Sequence, residues 1–150
     1  MTGEEPLIEL KTEDALPHQL RRGVQAWTAI WQQQFDDLTT PQFGVLRVLQ
    51  ERGSLDQTAL GGLTAIDRST LTTLLDRLEG RRLVTRTIDP ANRRIRIVAL
   101  TDEGRAYLDE ALVKAARLQE YLAGFFDDDE LGRLVVLLRR LGDVPPPQDA

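Results

Sequence analysis

The sequence contains no cysteine, one histidine and one methionine in 150 residues. The absence of cysteine excludes disulfides, thiol redox sensing and cysteine-ligated zinc sites. A single imidazole, that of His18, excludes a histidine metal cluster, and no nucleophile–base set is evident, so an enzyme is the least supported class. No apolar run approaches the ~18 residues of a membrane span, and no signal peptide is visible. We therefore expect a cytoplasmic protein with no membrane association, metal or cofactor.

The distribution of charge is uneven along the chain. The composition, 41% hydrophobic and 29% charged, predicts one globular domain over residues 1–150. The net charge is −5, yet residues 52–96 hold nine Arg against five acidic residues, a local balance of +4. An arginine-rich segment within an acidic chain is typical of a nucleic-acid-binding region.

The first half of the chain predicts two longer helices. Apolar residues repeat at helical spacing over residues 15–35. In the next helix Thr40 is the expected cap, Pro41 suits the first turn, and Gly53 ends the helix.

A short helix is expected next. Ser54 and Gln57 have the spacing of a capping box, and the glycine pair 61–62 indicates the end of this helix and a turn.

The segment "DRSTLTTLLDRLE" predicts a helix with two different faces, capped by Asp67 and ending near Gly80. The apolar face consists of Leu71, Leu74, Leu75 and Leu78. The opposite side and its flanks carry Ser69, Thr70, Thr72, Thr73, Asp76 and Arg77. Ser and Thr are mediocre helix formers with short reach. They suit a face that a polar partner approaches closely.

The pattern then changes to alternation. Residues 83–89 and 93–101 alternate apolar and polar side chains around the turn "DPANR", which predicts a β-hairpin with Arg93 and Arg94 at its tip. Two further helices follow, over 102–126 and from the capping pair Asp127 and Glu130 onward. The predicted fold is mainly α (α+β).

The order of these elements predicts a winged helix-turn-helix over residues 38–101: a short helix, a turn, a polar-faced helix and a hairpin with arginines at its tip. We expect Ser69, Thr70, Thr72, Thr73 and Arg77 to face a major groove, and Arg93 and Arg94 to lie where one of them enters the adjacent minor groove. The alternative is a winged-helix module that binds another protein and has no operator.

The order of motifs resembles that of the MarR family of bacterial transcriptional regulators. The motifs are "LTTPQFGVLRVL", "GLTAIDRSTLTTLLDRLEGRRLVTR", "DPANRR" and "ALTDEG". The resemblance implies a homodimer that pairs through helices 15–37 and 102–142, binds a pseudo-palindromic operator in double-stranded DNA, and releases it when a small ligand binds. By position, Ser69, Thr70, Thr73 and Arg77 are similar to the family's recognition-helix contacts, and Arg94 to its wing-tip arginine.

The wing departs from the family pattern at one position. The family usually has Asp two residues before the wing-tip arginine, and this chain has Asn92. Because an amide cannot form that ion pair, Asp89 is the candidate to replace it.

The segment "HQLRRGVQAWTAIW" sets His18 and Arg21 beside Trp27 and Trp31. It is similar to that of the MarR regulators that respond to aromatic acids of the protocatechuate type, in which an arginine at the position of Arg21 holds the ligand carboxylate. The resemblance implies an aromatic carboxylate effector, which we expect to lie between these residues and the helix surface at Phe43 and Leu46. The alternative is a solvated Arg21 and tryptophans that belong to a dimer core.

Overall fold

The structure, a computed structural model, describes residues 11–145. A 3₁₀ turn at Thr12–Asp14 precedes six helices and three strands in this part of the chain. They are α1 (Leu16–Gln32), α2 (Thr40–Arg52), β1 (Leu55–Asp56), α3 (Gln57–Thr64), α4 (Arg68–Gly80), β2 (Val84–Ile88), β3 (Arg96–Leu100), α5 (Asp102–Leu122) and α6 (Asp128–Gly142). The prediction of a mainly helical winged helix-turn-helix is confirmed. No helix among these residues combines the length and the apolarity that crossing a membrane requires.

The cap of α2 lies one residue earlier than the sequence suggested. Thr39, not Thr40, is the N-cap: its hydroxyl accepts from the Gln42 amide at 3.3 Å, and the Gln42 side chain accepts from the Thr39 amide at 2.9 Å. This reciprocal capping box needs Gln three residues after the cap, which only Thr39 provides. The predicted end at Gly53, which has φ 78°, is confirmed.

The start of α3 was also predicted wrongly. Leu55–Asp56 forms a short strand that pairs with Val98 and Ile97, so the helix cannot begin at Ser54. Asp56 is the cap instead, and its carboxylate accepts from the Ala59 amide at 2.9 Å.

The glycine pair lies within α3 and does not end it. The helix continues to Thr64 and ends at Ala65, which takes the left-handed conformation with φ 53°. A Cβ on Gly61 would lie 3.2 Å from the carbonyl oxygen of Ile66. Glycine at this position therefore allows the turn between α3 and α4 to pack closely on α3.

The three strands form one antiparallel sheet in the order β1-β3-β2. The predicted hairpin is confirmed, with Val84 opposite Leu100 and Ile88 opposite Arg96. β1 was not predicted because two residues are too short to show alternation.

Contacts divide the chain into two compact units, residues 1–111 and 112–150, of which 1–10 and 146–150 lie outside the described part. In the first unit the predicted apolar face of α4 is buried, which confirms it. The most deeply buried side chains of this unit are Val45, Leu46, Leu49, Leu60, Leu71, Leu75, Leu78, Val84, Val98 and Leu108.

The second unit contains the C-terminal half of α5 and all of α6. The predicted capping box of Asp127 and Glu130 is confirmed. α5 ends at Leu122, four residues before the predicted end, in a turn that includes Gly124. The apolar side chains of α6 are largely exposed, with Val135 at 55% and Leu138 at 47%. Their role as a dimer surface stays a prediction.

Candidate nucleic-acid interface

Asp67 fixes the N-terminus of α4. Its carboxylate accepts from the backbone amides of Ser69 (3.1 Å) and Thr70 (3.0 Å) and from both of their hydroxyls, at 2.7 and 2.6 Å. These hydrogen bonds hold the pKa of Asp67 far below its usual value, and the bond from the Thr70 hydroxyl has the largest effect. The carboxylate is therefore ionised at neutral pH, and the start of α4 is set by a charged cap.

The polar residues of α4 lie together on one exposed side of the helix. The members that the sequence predicted to contact DNA are Ser69, Thr70, Thr72, Thr73 and Arg77, and all are exposed. Gln57, at the start of α3, donates its side-chain amide to the Thr72 hydroxyl at 2.9 Å. Sequence reasoning missed Gln57, because the partners are fifteen positions apart and meet only through the turn between the helices.

An open cleft of about 1180 Å³ separates α3 and α4 from the hairpin, which is the wing of the fold. Gln57, Arg68 and Thr72 line its helical wall, and Arg94 and Arg96 line the opposite wall. The charged lining residues are four arginines (Arg68, Arg86, Arg94 and Arg96) and three carboxylates (Asp56, Asp67 and Glu79). Because Arg86 pairs with Glu79 while Arg68, Arg94 and Arg96 make no ion pair with residues 11–145, both walls still offer arginines to a polyanion that spans helix and wing. Arg93 lies at the exposed wing tip and is not among the cleft's lining residues.

The wing tip is held by side chains that fold back onto its own backbone. The Asp89 carboxylate accepts from the Ala91 amide at 2.8 Å, and the Asn92 side-chain oxygen accepts from the Arg94 amide at 3.1 Å. Asp89 forms no ion pair with any residue between 11 and 145. The expectation that Asp89 replaces the missing ion pair is therefore wrong. Two side-chain-to-backbone turns order the tip without charge pairing.

A half-buried arginine joins the wing to α4. Arg86 of β2, 19% exposed, contacts Asp76 and Glu79 at 2.6 Å each. Its backbone amide also donates to Glu79 at 3.1 Å. The hydrogen bonds from Arg86 lower the pKa of Glu79, and those from Glu79 raise the pKa of Arg86. Asp76, on the exposed side of α4, thus shares the positive charge of Arg86 with Glu79.

The ion pairs leave most arginines of the basic segment available to a partner. Of the nine in residues 52–96, only two pair with acidic groups in the described chain, Arg81 with Asp37 and Arg86 with Asp76 and Glu79. The others make no ion pair with residues 11–145 and are Arg52, Arg68, Arg77, Arg82, Arg93, Arg94 and Arg96. Unpaired guanidinium groups are suited to phosphate contacts.

The predicted effector residues lie around an aromatic cluster in the first unit. The Trp31 ring stacks on Phe35 at 4.3 Å between centroids and meets Phe43 edge-on at 5.1 Å. The Trp27 and Trp31 ring centroids are 5.8 Å apart. Trp31 is 4% exposed and donates its indole N–H to the Leu38 carbonyl at 2.6 Å, so its ring belongs to the core.

The remaining predicted effector residues differ in accessibility. Leu46 is fully buried. Trp27, Phe43 and His18 are half-buried, and Arg21 is exposed with no hydrogen-bond or ion-pair partner in the described part of the chain. In this conformation the ring surface open to a ligand therefore comes from Trp27 and Phe43.

The connection between α1 and α2 is held by a cluster that sequence reasoning missed. Arg81, directly after α4, donates to the carbonyl (2.6 Å) and carboxylate (2.7 Å) of Asp37. The Tyr107 hydroxyl of α5 donates to the same carboxylate at 3.0 Å, and the Arg81 guanidinium lies 4.8 Å from the Tyr107 ring centre. Burial raises the pKa of Tyr107. We call these three residues the Asp37 clamp.

Comparison with known proteins then decides the family. The family model described as MarR matches residues 38–95. The transcriptional repressor NicR of Pseudomonas putida is 38% identical over 128 residues, which cover 84% of this chain and 81% of NicR. The chain belongs to the MarR family.

Solved structures of other regulators match most of the chain. BpsR of Bordetella bronchiseptica, whose DNA binding is regulated by 6-hydroxynicotinic acid, superposes with a TM-score of 0.82 at 34% identity, over 89% of this chain and 96% of BpsR. The repressor CouR bound to a 23-mer DNA duplex gives 0.81 at 31% identity, over 93% of this chain and 99% of CouR. As a member of the MarR family, this chain is a DNA-binding transcriptional regulator, and its relatives are regulators rather than enzymes.

In this MarR-family chain, Glu79→Gln should lower the free energy of unfolding by about 1–2 kcal/mol at pH 7, because Arg86 loses a charged partner and the amide retains one acceptor. The folded pKa of Glu79 lies below its ordinary 4.5. The stabilisation that ionised Glu79 provides is therefore fully present above pH 4.5. It is lost as the pH falls through the lower pKa that Glu79 has in the folded state. Denaturant melts from pH 7 to pH 3 check this.

The control is Glu51→Gln, which removes an exposed partner of Arg47 on α2. It should change stability by less than ~0.5 kcal/mol. Equal stability losses in both variants at pH 7, or a Glu79→Gln variant as pH-dependent as the wild type between pH 5 and pH 3, would contradict the assignment.

Proposed function

We propose that this chain is a homodimeric repressor that binds a pseudo-palindromic operator in double-stranded DNA and leaves it when an aromatic carboxylate binds. The observation that carries the proposal is the cleft, because the helical wall with Arg68 and the wing wall with Arg94 and Arg96 open on the same side. A winged helix-turn-helix needs this arrangement to bind a major groove and the neighbouring minor groove at once.

In the proposed complex α4 enters the major groove. Ser69, Thr70, Thr73 and Arg77 lie toward the base edges and phosphates, and Thr72, which Gln57 holds, lines the side of the cleft. Arg94 reaches the minor groove, whose negative potential attracts guanidinium groups. Arg93 stays at the surface or contacts phosphate.

Dimerisation is proposed through helices 15–37 and 102–142, with 38–101 as the DNA-binding lobe. Both groups of helices carry exposed apolar side chains, such as Val24 at 65% on α1 and Leu137 at 58% on α6. Large exposed apolar surfaces favour association. A two-fold dimer would place its two copies of α4 about 34 Å apart, to bind successive major grooves of a palindrome.

The effector is proposed to bind between Arg21 and the ring surfaces of Trp27 and Phe43, with His18 nearby and Trp31 and Leu46 behind them in the core. A guanidinium group pairs with a carboxylate through two parallel hydrogen bonds, and Arg21 has no other partner in residues 11–145. The acid that regulates BpsR, 6-hydroxynicotinic acid, is an aromatic carboxylic acid, which supports this class of ligand.

The test of the function is a titration of the protein against duplex DNA from upstream of its own gene, measured by fluorescence anisotropy at several salt concentrations. A dimer that contacts ~6–10 phosphates should lose about three to five orders of magnitude in affinity between 50 and 200 mM salt. A shuffled duplex of the same composition is the control. Failure to bind any upstream fragment at low salt would favour the alternative, a protein-binding module without an operator.

Arg94→Ala should weaken operator binding by about 1–3 kcal/mol with the dimer intact, because a guanidinium group inserted into the minor groove is lost. Arg93→Ala is the matched control, because it removes an equal charge from the same exposed tip. It should weaken operator binding by less than Arg94→Ala does. Anisotropy titrations at physiological salt measure both, and size-exclusion chromatography checks the dimer. An Arg94→Ala variant that binds as tightly as wild type would show that the wing assignment is wrong.

A further inference from the structure

The hydroxyl groups on the exposed side of α4 all donate their protons to oxygens of the protein. The bonds are Ser69 Oγ to Asp67 Oδ1 (2.7 Å), Thr70 Oγ1 to Asp67 Oδ2 (2.6 Å), Thr72 Oγ1 to the Arg68 carbonyl (2.8 Å) and Thr73 Oγ1 to the Ser69 carbonyl (3.2 Å). Neither an ionised carboxylate nor a carbonyl has a proton to give, so in each bond the hydroxyl is the donor.

A hydroxyl group has one proton and two lone pairs. Once the proton is bonded inside the protein, only lone pairs remain for a partner. Thr72 uses one of these for Gln57. Ser69, Thr70 and Thr73 therefore present hydrogen-bond acceptors to anything that approaches α4, and the Asp67 carboxylate behind them is itself an acceptor.

Acceptors match only part of what DNA displays. In the major groove the hydrogen-bond donors are the exocyclic amino groups, N6 of adenine and N4 of cytosine. Guanine O6 and N7, thymine O4 and the phosphate oxygens are all acceptors. Resting on the proposed function, we propose that the N-terminal half of α4 selects operator positions where an adenine or cytosine amino group faces it, and that Asp67 imposes this selection by holding the hydroxyl protons.

The geometry at Asp67 distinguishes Thr70 from Ser69. Oδ1 accepts from the Ser69 amide, the Thr70 amide and the Ser69 hydroxyl, whereas Oδ2 accepts only from the Thr70 hydroxyl. In Asp67→Asn the single oxygen must stay at the Oδ1 position, because two backbone amides need an acceptor there. The new NH₂ group then donates to Thr70 Oγ1, which turns the Thr70 proton outward. Asn caps helices as well as Asp, so α4 is preserved.

Asp67 is thus a positioning residue. Its replacement by Asn should turn Thr70 from a hydrogen-bond acceptor toward DNA into a donor, while Ser69 stays an acceptor and serves as an internal reference. Asp67→Asn also removes a negative charge near the phosphates, which strengthens binding to every sequence. Asp56→Asn is the matched control: Asp56 caps α3, lines the same cleft and, among residues 11–145, accepts only from a backbone amide. It changes the charge without changing any hydroxyl.

The experiment first enriches operators from a randomised duplex pool with the wild type. The base pair whose selection disappears in Thr70→Val is the one that Thr70 faces. That pair is then rebuilt with a base analogue that lacks the exocyclic amino group, or with one that lacks the carbonyl oxygen in the major groove. Dissociation constants for each duplex are measured by anisotropy with wild type, Asp67→Asn, Asp56→Asn and Thr70→Val.

We expect loss of the amino group to weaken binding roughly 3- to 10-fold for wild type and Asp56→Asn, the range of one net hydrogen bond, and loss of the carbonyl oxygen to have no effect on either. For Asp67→Asn, loss of the carbonyl oxygen should weaken binding and loss of the amino group should have no effect. Thr70→Val should be insensitive to both analogues, which also corrects for weaker pairing of the modified duplexes.

Two results would overturn the inference while the proposed function stands. One is a wild type sensitive to the carbonyl oxygen and not to the amino group; the other is a Thr70→Val variant that enriches the same operators as wild type. If wild type enriches no sequence at all, the proposed function fails, and the inference fails with it.

Discussion

Gly104→Ala should destabilise the protein by about 3 kcal/mol, the upper end of the range for overpacking. Gly104 lies in the first turn of α5, where an added Cβ would overlap the carbonyl oxygen of Leu83 and lie 2.9 Å from its carbonyl carbon. Backbone cannot yield as a flexible side chain can. The Thr101 hydroxyl accepts from the Gly104 amide at 2.9 Å and donates to the Arg82 carbonyl at 2.6 Å, so both chain segments are fixed.

Thermal unfolding at fixed protein concentration measures the effect. For a chain of this size ~3 kcal/mol corresponds to a Tm lower by about 6–12 °C. Gly44→Ala is the control, because Gly44 lies within α2 and a Cβ there would have no atom within 4 Å. That variant should be neutral or more stable by about 0.5–1 kcal/mol, since alanine favours the helix. Equal Tm values for Gly104→Ala and the wild type would refute the close contact.

Helices were predictable from the sequence because their signal is local. The leucines of α4 repeat at helical spacing and are buried, and Asp67 was identified as the cap because a polar residue precedes the periodic run. The caps of α2 and α3 were misplaced by one or two residues. Several Ser, Thr and Asp residues near the start of each helix could serve as its N-cap. For α3, the pairing of β1 with β3 places the cap at Asp56, and no local sequence pattern encodes this pairing.

The candidate site was predictable in residue type but not in arrangement. The segment 67–79 shows which side chains are exposed, and the hairpin pattern places arginines at its tip. The pairing of Arg81 with Asp37 joins residues 44 positions apart, and no spacing rule relates them. The direction of each hydroxyl proton is likewise invisible in sequence, because Ser and Thr can donate or accept until a structure supplies their partners.

Under the proposed function, the Asp37 clamp would give a ligand at α1 a physical route to α4. Trp31 of α1 bonds the Leu38 carbonyl, and the adjacent Asp37 is held by Arg81 at the end of α4. A ligand that packs on Trp27 and Phe43 touches two of the three aromatic neighbours of Trp31, the third being Phe35. It can change operator affinity only if it binds one arrangement of the two recognition helices better than the other. Trp31 is thus linked to Arg81 through Leu38 and Asp37.

Arg21→Ala should therefore keep operator affinity and lose the response to an aromatic acid. Removing the guanidinium group leaves the bound carboxylate without its charged partner, which should weaken ligand binding about 100-fold, or ~3 kcal/mol. Operator affinity should stay within about twofold of the wild-type value, because Arg21 lies outside the proposed DNA-binding lobe. Calorimetric titration of benzoate-type acids, with and without ring hydroxyls, measures the first effect, and anisotropy with the operator measures the second.

Arg22→Ala is the matched control, since Arg22 is the exposed neighbour of Arg21 and carries the same charge. It should bind the acid like wild type if the contact is specific, and as weakly as Arg21→Ala if only the local positive potential matters. The neutral amide of the same acid separates charge from ring packing. The amide keeps the contact with Trp27 and Phe43 but cannot form the charged pair, so wild type should bind it about as weakly as Arg21→Ala binds the acid. An acid that binds wild type and Arg21→Ala equally would place the ligand site elsewhere.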